Sequence, residues 1–293
     1  MNDNIDNIGF GNRVQGGSCG PWPLSGRTRV FCIIGSPVSH SMSPAMHNTA
    51  FECLALDAVY VPFEVTDLSR AVRGLVALGI QGASVTIPFK EAIMDLVDEV
   101  DETAAKIGAV NTLVIEKGTI KGTNTDWIGA QRCLEDLLPI RGHRFVVLGA
   151  GGAARAVLYA VTRQGGEAVV VNRSVKKGRA LADEFGVTFF PFTAIDRINA
   201  DCLVNTTPVG MHPYEHESPV SDTVVRRYEA VVDVIYNPLK TLLLAQAEAA
   251  GCGVASGVEM FVYQGVKQFE LWTGQKAPVE RMKEAVYNRL LNQ

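Results

Sequence analysis

Positive charge, long apolar runs and paired cysteines are all scarce in this sequence. Its 27 lysines and arginines are outnumbered by 31 aspartates and glutamates, so the formal charge is −4 and the pI is near 5.8. Because a nucleic-acid duplex binds a basic surface, we expect no nucleic-acid partner. No apolar run reaches the roughly 20 residues that span a bilayer, and Asp3 and Asp6 lie where a secretory signal would be apolar. These absences predict a cytoplasmic protein with no membrane partner.

The six cysteines contain no C-x-x-C pair. We interpret them as small buried apolar residues in a reducing compartment. They are Cys19, Cys32, Cys53, Cys133, Cys202 and Cys252. His212 and His216 have the spacing of metal ligands on a helix, but Pro213 between them favours a loop. No metal is predicted.

Short apolar β runs alternate with helical patterns along most of the chain, which is typical of an α/β sheet with helices on both faces. A length of 293 residues and a hydrophobic content of 47 % allow about two domains with substantial cores. A second βα series begins at Phe145, so we predict two α/β domains with a cleft between them. In the first series we expect strands at 30–34, 59–63 and 83–87 and near 114 and 120, and helices at 45–56, 68–78, 88–97 and 99–107. Later strands are expected near 169, 203 and 232, and later helices at 127–137, 258–273 and 278–291.

The domain boundaries follow from these series. Residues 1–27 are rich in Asn, Gly and Ser without a helical or strand period, so we predict a disordered leader. The two C-terminal helices are expected to pack back on the first domain. We therefore predict a substrate-binding domain with a mainly parallel sheet from 28–126 plus 258–293, and a Rossmann-type dinucleotide-binding domain from 127–257.

A glycine motif opens the second domain. Gly149, Gly151 and Ala154 have the spacing G-x-G-x-x-A, after an apolar strand and before an Ala-rich helix that runs to about Arg163. This spacing lets the backbone approach a pyrophosphate at a helix N-terminus. The alternative is a tight glycine turn that binds nothing. The predicted dinucleotide-binding residues are Gly149, Ala150, Gly151, Gly152 and Ala153.

The next strand ends in residues that indicate which dinucleotide binds. Asn172 and Arg173 lie where an NAD-binding protein usually carries Asp or Glu, and Lys176 and Lys177 follow closely. Cationic donors suit a 2′-phosphate, so the predicted cofactor is NADP. The alternative for Arg173 is a solvated surface arginine.

Three polar residues lie at or after the ends of predicted strands of the first domain. Thr86 and Lys90 lie at the carboxyl end of the third strand, where ligands of α/β sheets collect, and Asp126 lies at the domain junction. Hydride transfer between a nicotinamide and a secondary alcohol moves one proton to or from oxygen. A lysine held by an aspartate is sufficient for that step, so Lys90 and Asp126 are the predicted catalytic pair.

Each candidate also has a purely structural interpretation. Asp126 could cap a helix that begins at Trp127, and Lys90 could be a solvated lysine in the first turn of a helix that Pro88 opens. Ser43 before Pro44 has the pattern of a helix cap. The remaining structural interpretations are that Asn111 only starts a strand, that Gln264 is only a polar helix residue and that His40 is a loop or core histidine.

Taken together, these residues resemble the shikimate dehydrogenase family over nearly the whole chain from about Arg29 to Leu290. No single matching segment is specific for the family, but many matching segments in the same order along the chain are specific together. The matching segments are 35–44 (GSPVSHSMSP), 85–90 (VTIPFK), 108–112 (GAVNT), 124–126 (NTD), 147–153 (VLGAGGA), 172–174 (NRS), 236–238 (YNP) and 260–272.

The resemblance implies the reversible NADPH-dependent reduction of 3-dehydroshikimate to shikimate in aromatic amino-acid biosynthesis, and it implies roles for named residues. Ser41 and Ser43 would bind the substrate carboxylate, Tyr236 would lie near the substrate, and Gly257 and Met260 would lie beside the nicotinamide. The predicted ligands of the ring hydroxyls are Thr86, Asn111, Asp126 and Gln264. On the cofactor side the predicted contacts include Asn172, Arg173, Ser174 and Lys177.

The sequence departs from the family pattern in three places. Trp127 stands where the family often has glycine, which could narrow the cleft or pack into the hinge. Ser174 stands where threonine is common, and the leader before Arg29 has no counterpart.

The sequence leaves two rival functions open. One is a quinate/shikimate dehydrogenase that uses NAD, which Arg173 disfavours. The other is a non-catalytic NADPH-binding regulator with the same fold, which the presence of both Lys90 and Asp126 disfavours. Members of the family are often monomers or two-fold dimers, so a homodimer is left open.

Overall fold

The computed structural model describes residues 24–292 and contains two six-stranded sheets with helices packed against them. The two α/β units predicted from the sequence are therefore present. Most of the predicted leader, and Cys19 with it, lies outside the described residues.

The first sheet is mixed, with strand order β2-β1-β3-β5-β6-β4. β1 pairs in parallel with β2 and β3, whereas β5 is antiparallel to both β3 and β6. β1 is apolar on both faces because helices cover the sheet on each side. The elements are β1 (Arg29–Gly35), α1 (Ser43–Cys53), β2 (Ala58–Glu64), α2 (Leu68–Ala77), β3 (Gly82–Val85), β4 (Glu99–Val100), α3 (Glu102–Ile107), β5 (Thr112–Glu116) and β6 (Thr119–Thr123).

The segment after β3 differs from the prediction. In place of a helix over 88–97 there is a short 3₁₀ helix, Ala92–Leu96, and Glu99 lies in a strand. Asp98 ties this segment to β6, because its backbone N–H and its carboxylate bond to the backbone of Ile120 at 3.0 and 2.7 Å. The following helix starts only after Asp101, whose carboxylate caps it through Ala104 N.

The second sheet is parallel throughout, with strand order β12-β11-β10-β7-β8-β9. Its buried valine-rich strands were predicted, but β9 and β12 were missed because each has four residues and no fully buried run. The elements are β7 (Arg144–Leu148), α5 (Gly152–Arg163), β8 (Glu167–Asn172), α6 (Val175–Phe185), β9 (Thr188–Pro191), β10 (Cys202–Asn205), α7 (Asp222–Val225), β11 (Ala230–Asp233), α8 (Leu242–Ala249) and β12 (Gly253–Ser256).

Three further helices complete the fold: α4 (Asp126–Glu135), α9 (Gly257–Thr273) and α10 (Val279–Leu291). The helices α4 and α9 cross closely at Gly129, where a Cβ atom would lie 2.2 Å from the carbonyl oxygen of Met260. Phe269 of α9 and Met282 of α10 share an apolar cluster with Phe31 and Phe51. The C-terminal helices thus return to the first sheet.

One cysteine prediction is wrong. Cys53 is exposed because it ends α1 on the solvent side, while Cys32, Cys133 and Cys202 are buried and Cys252 is half-buried. All five are free thiols. The 210–220 segment that contains His212 and His216 is a loop, as Pro213 indicated. No helix within residues 24–292 combines the length and the apolar character needed to cross a membrane.

Candidate active site

Sheet register gathers the polar residues of the first unit at one edge. β1 and β3 run in parallel, with Ile34 opposite Val85, so the segments that follow both strands leave the same edge. Asn111 precedes β5 at that edge, where its carbonyl oxygen accepts from Val85 N at 2.8 Å. Thr123 of β6 pairs with Thr112, which places the 124–126 segment beside Asn111.

Lys90 and Asp126 form an ion pair at this edge. Lys90 Nζ donates to Asp126 Oδ2 at 2.5 Å, and the two side chains are only 18 % and 7 % exposed. The structural interpretations of both residues are wrong. No helix opens at Pro88, and Thr125, not Asp126, occupies the cap position of α4. An ammonium group held by a carboxylate in a sheltered cleft can deliver a proton to a nearby oxygen.

Asn111 joins this pair to Gln264 of α9. The Asn111 amide donates to Asp126 Oδ1 at 2.7 Å, to Thr125 Oγ1 at 3.0 Å and more weakly to Gln264 Oε1 at 3.3 Å. Gln264 donates to Phe261 O at 2.7 Å, which fixes the orientation of its own amide. Both residues are therefore more than a strand start and a polar helix residue, because their amides meet beside the carboxylate of Asp126.

The residues predicted to hold the substrate carboxylate lie in the loop after β1 and at the start of α1. Ser43 is buried, and its N–H donates to Ser41 Oγ at 3.2 Å. Ser43 is not the helix cap, because Met42 occupies that position and Ser43 is the first helical residue. His40 is exposed in the same loop.

Thr86 and Tyr236 approach from two further segments. Thr86 follows β3, and its methyl group fills the space where a Cβ of Gly35 would be. The Tyr236 ring packs against Phe261 with 4.7 Å between the centroids. The predicted contacts of Thr86, Tyr236 and the two serines with a substrate remain predictions.

The glycine loop at the carboxyl end of β7 leaves space for a ligand. Gly149 has φ +116°, which favours glycine, and a Cβ there would collide with Thr206 Oγ1. Gly151 precedes α5 with no side-chain cap, and a Cβ on it would meet nothing within 4 Å. The first N–H groups of α5 thus have no side-chain cap, which is the state in which a helix N-terminus can bind a phosphate.

The predicted phosphate ligands lie beside this loop. Leu148 pairs with Val171, so Gly149, which follows β7, lies near Asn172, the last residue of β8. Arg173, Ser174 and Lys177 are exposed, and Ser174 caps α6 by accepting from Lys177 N at 3.4 Å. No ion pair within the described part of the chain involves Arg173. Its charge is thus available to an anionic ligand, and its exposure also fits the surface interpretation.

Arg155 was missed in the sequence, and the role of Trp127 was left open. Arg155, one turn into α5, donates to Ile107 O at 3.0 Å and pairs with Glu184 at 2.6 Å. Trp127 packs edge-on against Tyr159, and the guanidinium of Arg163 lies 4.6 Å from its ring centre. Trp127 therefore packs into the contact between α4 and α5.

Two buried titratable groups, one in each unit, have shifted pKa values. Burial raises the pKa of Asp233 to about 7, although Thr241 Oγ1, Ile235 N and Asn205 Nδ2 all donate to its carboxylate. Burial lowers the pKa of His47 to about 3, so this imidazole, stacked 4.5 Å from Tyr60, stays neutral. Within residues 24–292 no group of three His, Cys, Asp or Glu side chains could hold a metal ion.

Comparisons with known proteins agree with this geometry. The model of the shikimate dehydrogenase substrate binding domain matches residues 33–113, and that of the shikimate 5′-dehydrogenase C-terminal domain matches residues 257–287. A curated relative, shikimate dehydrogenase (NADP(+)) from Methanopyrus kandleri, is 47 % identical over 283 residues, which cover 91 % of this chain and 98 % of the relative.

Solved structures agree as well. Shikimate 5-dehydrogenase from Thermus thermophilus, in complex with NADP(H) and shikimate, has a TM-score of 0.82 and 37 % identity, covering 89 % of this chain and 99 % of its own. Quinate dehydrogenase from Corynebacterium glutamicum, in complex with NAD, has a TM-score of 0.83 and 32 % identity with the same coverage. By its fold and by its sequence identity over most of its length, the chain belongs to the shikimate dehydrogenase family.

Proposed function

We propose that this protein is an NADP-dependent shikimate dehydrogenase, which reversibly reduces 3-dehydroshikimate to shikimate on the route to aromatic amino acids. The observation that carries the proposal is the ion pair of Lys90 and Asp126, 2.5 Å apart and sheltered at the edge that faces the glycine loop. An amine and a carboxylate in this position supply the acid–base chemistry that reduction of a ring carbonyl requires.

In this proposal Lys90 is the proton donor of the reduction. NADPH, when bound, would supply the hydride that the carbonyl carbon receives. Lys90 donates a proton to the carbonyl oxygen, which becomes the hydroxyl of shikimate, and Asp126 holds the ammonium group in line. The reverse reaction returns the proton to Lys90. Reprotonation of the amine from solvent completes the balance of one ketone, one NADPH and one proton against one alcohol and one NADP.

Neutral hydrogen-bonding groups suit the rest of the substrate, which carries one carboxylate and several hydroxyls. We assign the carboxylate to Ser41 and Ser43, near Tyr236. We assign the binding of the ring hydroxyls to Thr86, Asn111, Asp126 and Gln264. The contacts of Asn111 and Gln264 with each other support this assignment, because amides already gathered around one carboxylate need little reordering to bind a polyol.

The cofactor fits the second sheet. Residues of the 149–153 loop would hold the pyrophosphate at the N-terminus of α5, and Asn172, Arg173, Ser174 and Lys177 would hold the 2′-phosphate. Gly257 and Met260, at the start of α9, would lie beside the nicotinamide. On this basis residues 28–126 with 258–293 form the substrate-binding domain, and residues 127–257 form the NADP-binding domain.

We further propose a cytoplasmic location, which the five free cysteines within residues 24–292 support. A homodimer stays a prediction that analytical ultracentrifugation would test.

The decisive experiment follows the absorbance of reduced nicotinamide with shikimate or quinate as substrate and NADP or NAD as cofactor. We expect the highest kcat/KM for shikimate with NADP. An equal or higher kcat/KM for quinate with NAD would instead make the protein a quinate dehydrogenase. The similar Corynebacterium structure is the reason to test this alternative. Tight NADPH binding without turnover of either substrate would instead indicate a regulator.

A further inference from the structure

A chain of hydrogen bonds leads from the apolar core of the first unit to the carboxylate of Asp126. Tyr60 OH donates to Ser84 Oγ at 2.6 Å, and Ser84 Oγ donates to Gln268 Oε1 at 2.7 Å. Gln268 Nε2 donates to Thr112 Oγ1 at 2.9 Å, and Thr112 Oγ1 donates to Asn111 Oδ1 at 2.7 Å. We call these five residues the buried polar chain. Its members are at most 5 % exposed.

The amide of Gln268 is held in one orientation by a second hydrogen bond. Gln268 Nε2 also donates to the backbone carbonyl oxygen of Asn111 at 3.1 Å, so its amide cannot turn over without placing two oxygens together. Because the Thr112 hydroxyl accepts from Gln268, its own proton is free to point to Asn111 Oδ1. Gln268 therefore sets the donor-to-acceptor direction of the hydrogen bonds in the buried polar chain.

The end of the chain decides how Asn111 faces Asp126. Asn111 Oδ1 accepts from Thr112 Oγ1 and from Thr125 N, each at 2.7 Å, so the nitrogen of the same amide must face the carboxylate. That nitrogen lies 2.7 Å from Asp126 Oδ1, while Lys90 Nζ lies 2.5 Å from Oδ2. The two carboxylate oxygens are thus assigned to different donors.

We propose that Thr112 and Gln268 are positioning residues that orient Asn111, and through it Asp126, so that the carboxylate keeps Lys90 aligned for proton transfer. The inference rests on the proposed function of the Lys90–Asp126 pair. Neither residue acts on the substrate: Gln268 is 1 % exposed, Thr112 is fully buried, and their polar side-chain atoms bond to the protein.

The test compares Thr112→Val, which keeps the shape and loses the hydroxyl, with Thr112→Ser, which keeps the hydroxyl and loses a methyl group. We expect kcat for shikimate oxidation to fall about tenfold in Thr112→Val, because a less well oriented Asp126 aligns Lys90 less well for proton transfer. Thr112→Ser should stay within about twofold of wild type, and the KM for NADP should not change in either variant.

Thr162→Val provides the control for loss of a hydroxyl elsewhere, because Thr162 Oγ1 donates to Leu158 O at 2.8 Å far along α5. A Gln268→Met variant combined with Thr112→Val completes a double-mutant cycle. If the two residues act as a unit, the fold-loss of kcat in the double variant is smaller than the product of the fold-losses in the two single variants. Crystal structures of the two Thr112 variants measure the Asn111–Asp126 separation independently of activity, and we expect it to lengthen only in Thr112→Val.

Three results would overturn the inference: wild-type kcat in Thr112→Val, equal losses in the two Thr112 variants, or an unchanged Asn111–Asp126 separation in Thr112→Val. In each case the proposed function stands if the wild-type protein oxidises shikimate. Absence of wild-type turnover, by contrast, removes the proposed function itself.

Discussion

The side chain of Lys90 lies against Gly152, the first residue of α5. A Cβ atom on Gly152 would be 3.1 Å from Lys90 Cδ and 3.5 Å from Lys90 Cβ. The lysine follows β3 of the first sheet, and the glycine begins α5, which comes after the first strand of the second sheet. This contact therefore brings the proposed proton donor to the proposed cofactor site. It is possible because glycine has no side chain at position 152.

A methyl group at this position is expected to disturb catalysis. In Gly152→Ala the lysine must move by a few tenths of an ångström to relieve the 3.1 Å contact, which shifts Nζ relative to Asp126. Because proton transfer depends steeply on alignment, we expect kcat to fall about tenfold. Gly74→Ala is the matched control, since a Cβ there meets nothing within 4 Å. Steady-state kinetics of both variants check this, and a Gly152→Ala enzyme with wild-type kcat would contradict it.

Removal of the amine is expected to be far more severe. Lys90→Met keeps the methylene groups that pack on Gly152 and deletes the proton donor, and Lys90→Ala deletes both. We expect kcat to fall by about 10²–10⁴ in both variants, with little change in the KM for shikimate. NADPH titration, followed by fluorescence, verifies that the variants remain folded. Near-normal kcat in Lys90→Met would remove Lys90 from the proton step.

The fold was largely predictable because its strongest signals are local. The buried run 145–148 and the glycines after it predict β7 and α5 without any tertiary information. The short strands β9 and β12 have no such pattern, and the helix expected over 88–97 is replaced because Asp98 bonds to a strand that comes later in the chain. Local propensity cannot show that competition.

The site was predictable to a different degree. Lys90 and Asp126 were identified by their positions after strands and by the resemblance. Gln268 gave one weak signal, its spacing of four residues from Gln264 on a single helix face. Arg155 gave none, because its partner Ile107 O is a backbone atom 48 residues away. Contacts of this kind become visible only when the two sheets are brought together.

Cofactor preference is expected to depend on Arg173. In Arg173→Ala the charge-assisted bonds to a 2′-phosphate are lost, so we expect the KM for NADP to rise about tenfold and the KM for NAD to stay constant. Arg179→Ala, on the exposed side of α6, removes an equal charge from the same region without removing the proposed contact. Kinetics with both cofactors at fixed ionic strength distinguish the two variants. If the NADP-to-NAD ratio of kcat/KM is the same in all three proteins, Arg173 is a surface residue.

Titration of Asp233 is expected to make the stability of the folded protein depend on pH. Its pKa is about 7 in the folded protein, above the ordinary value of 3.8, so between these values the folded state binds a proton that the unfolded state has released. This contribution to stability is fully present below pH 3.8 and is lost as the pH rises through 7. It changes by about 1.4 kcal/mol per pH unit in that window.

Asp233→Asn removes the titration and keeps the shape. We expect the free energy of unfolding of wild type minus that of Asp233→Asn to decrease as the pH rises from about 5 to about 7, and to level off above that. Urea unfolding at several pH values measures the difference. His47 titrates with the opposite sign, since a lowered folded pKa costs stability as the pH falls below 6.5, but it is common to both proteins and cancels. Parallel stability curves for the two proteins would show that Asp233 does not titrate near neutral pH.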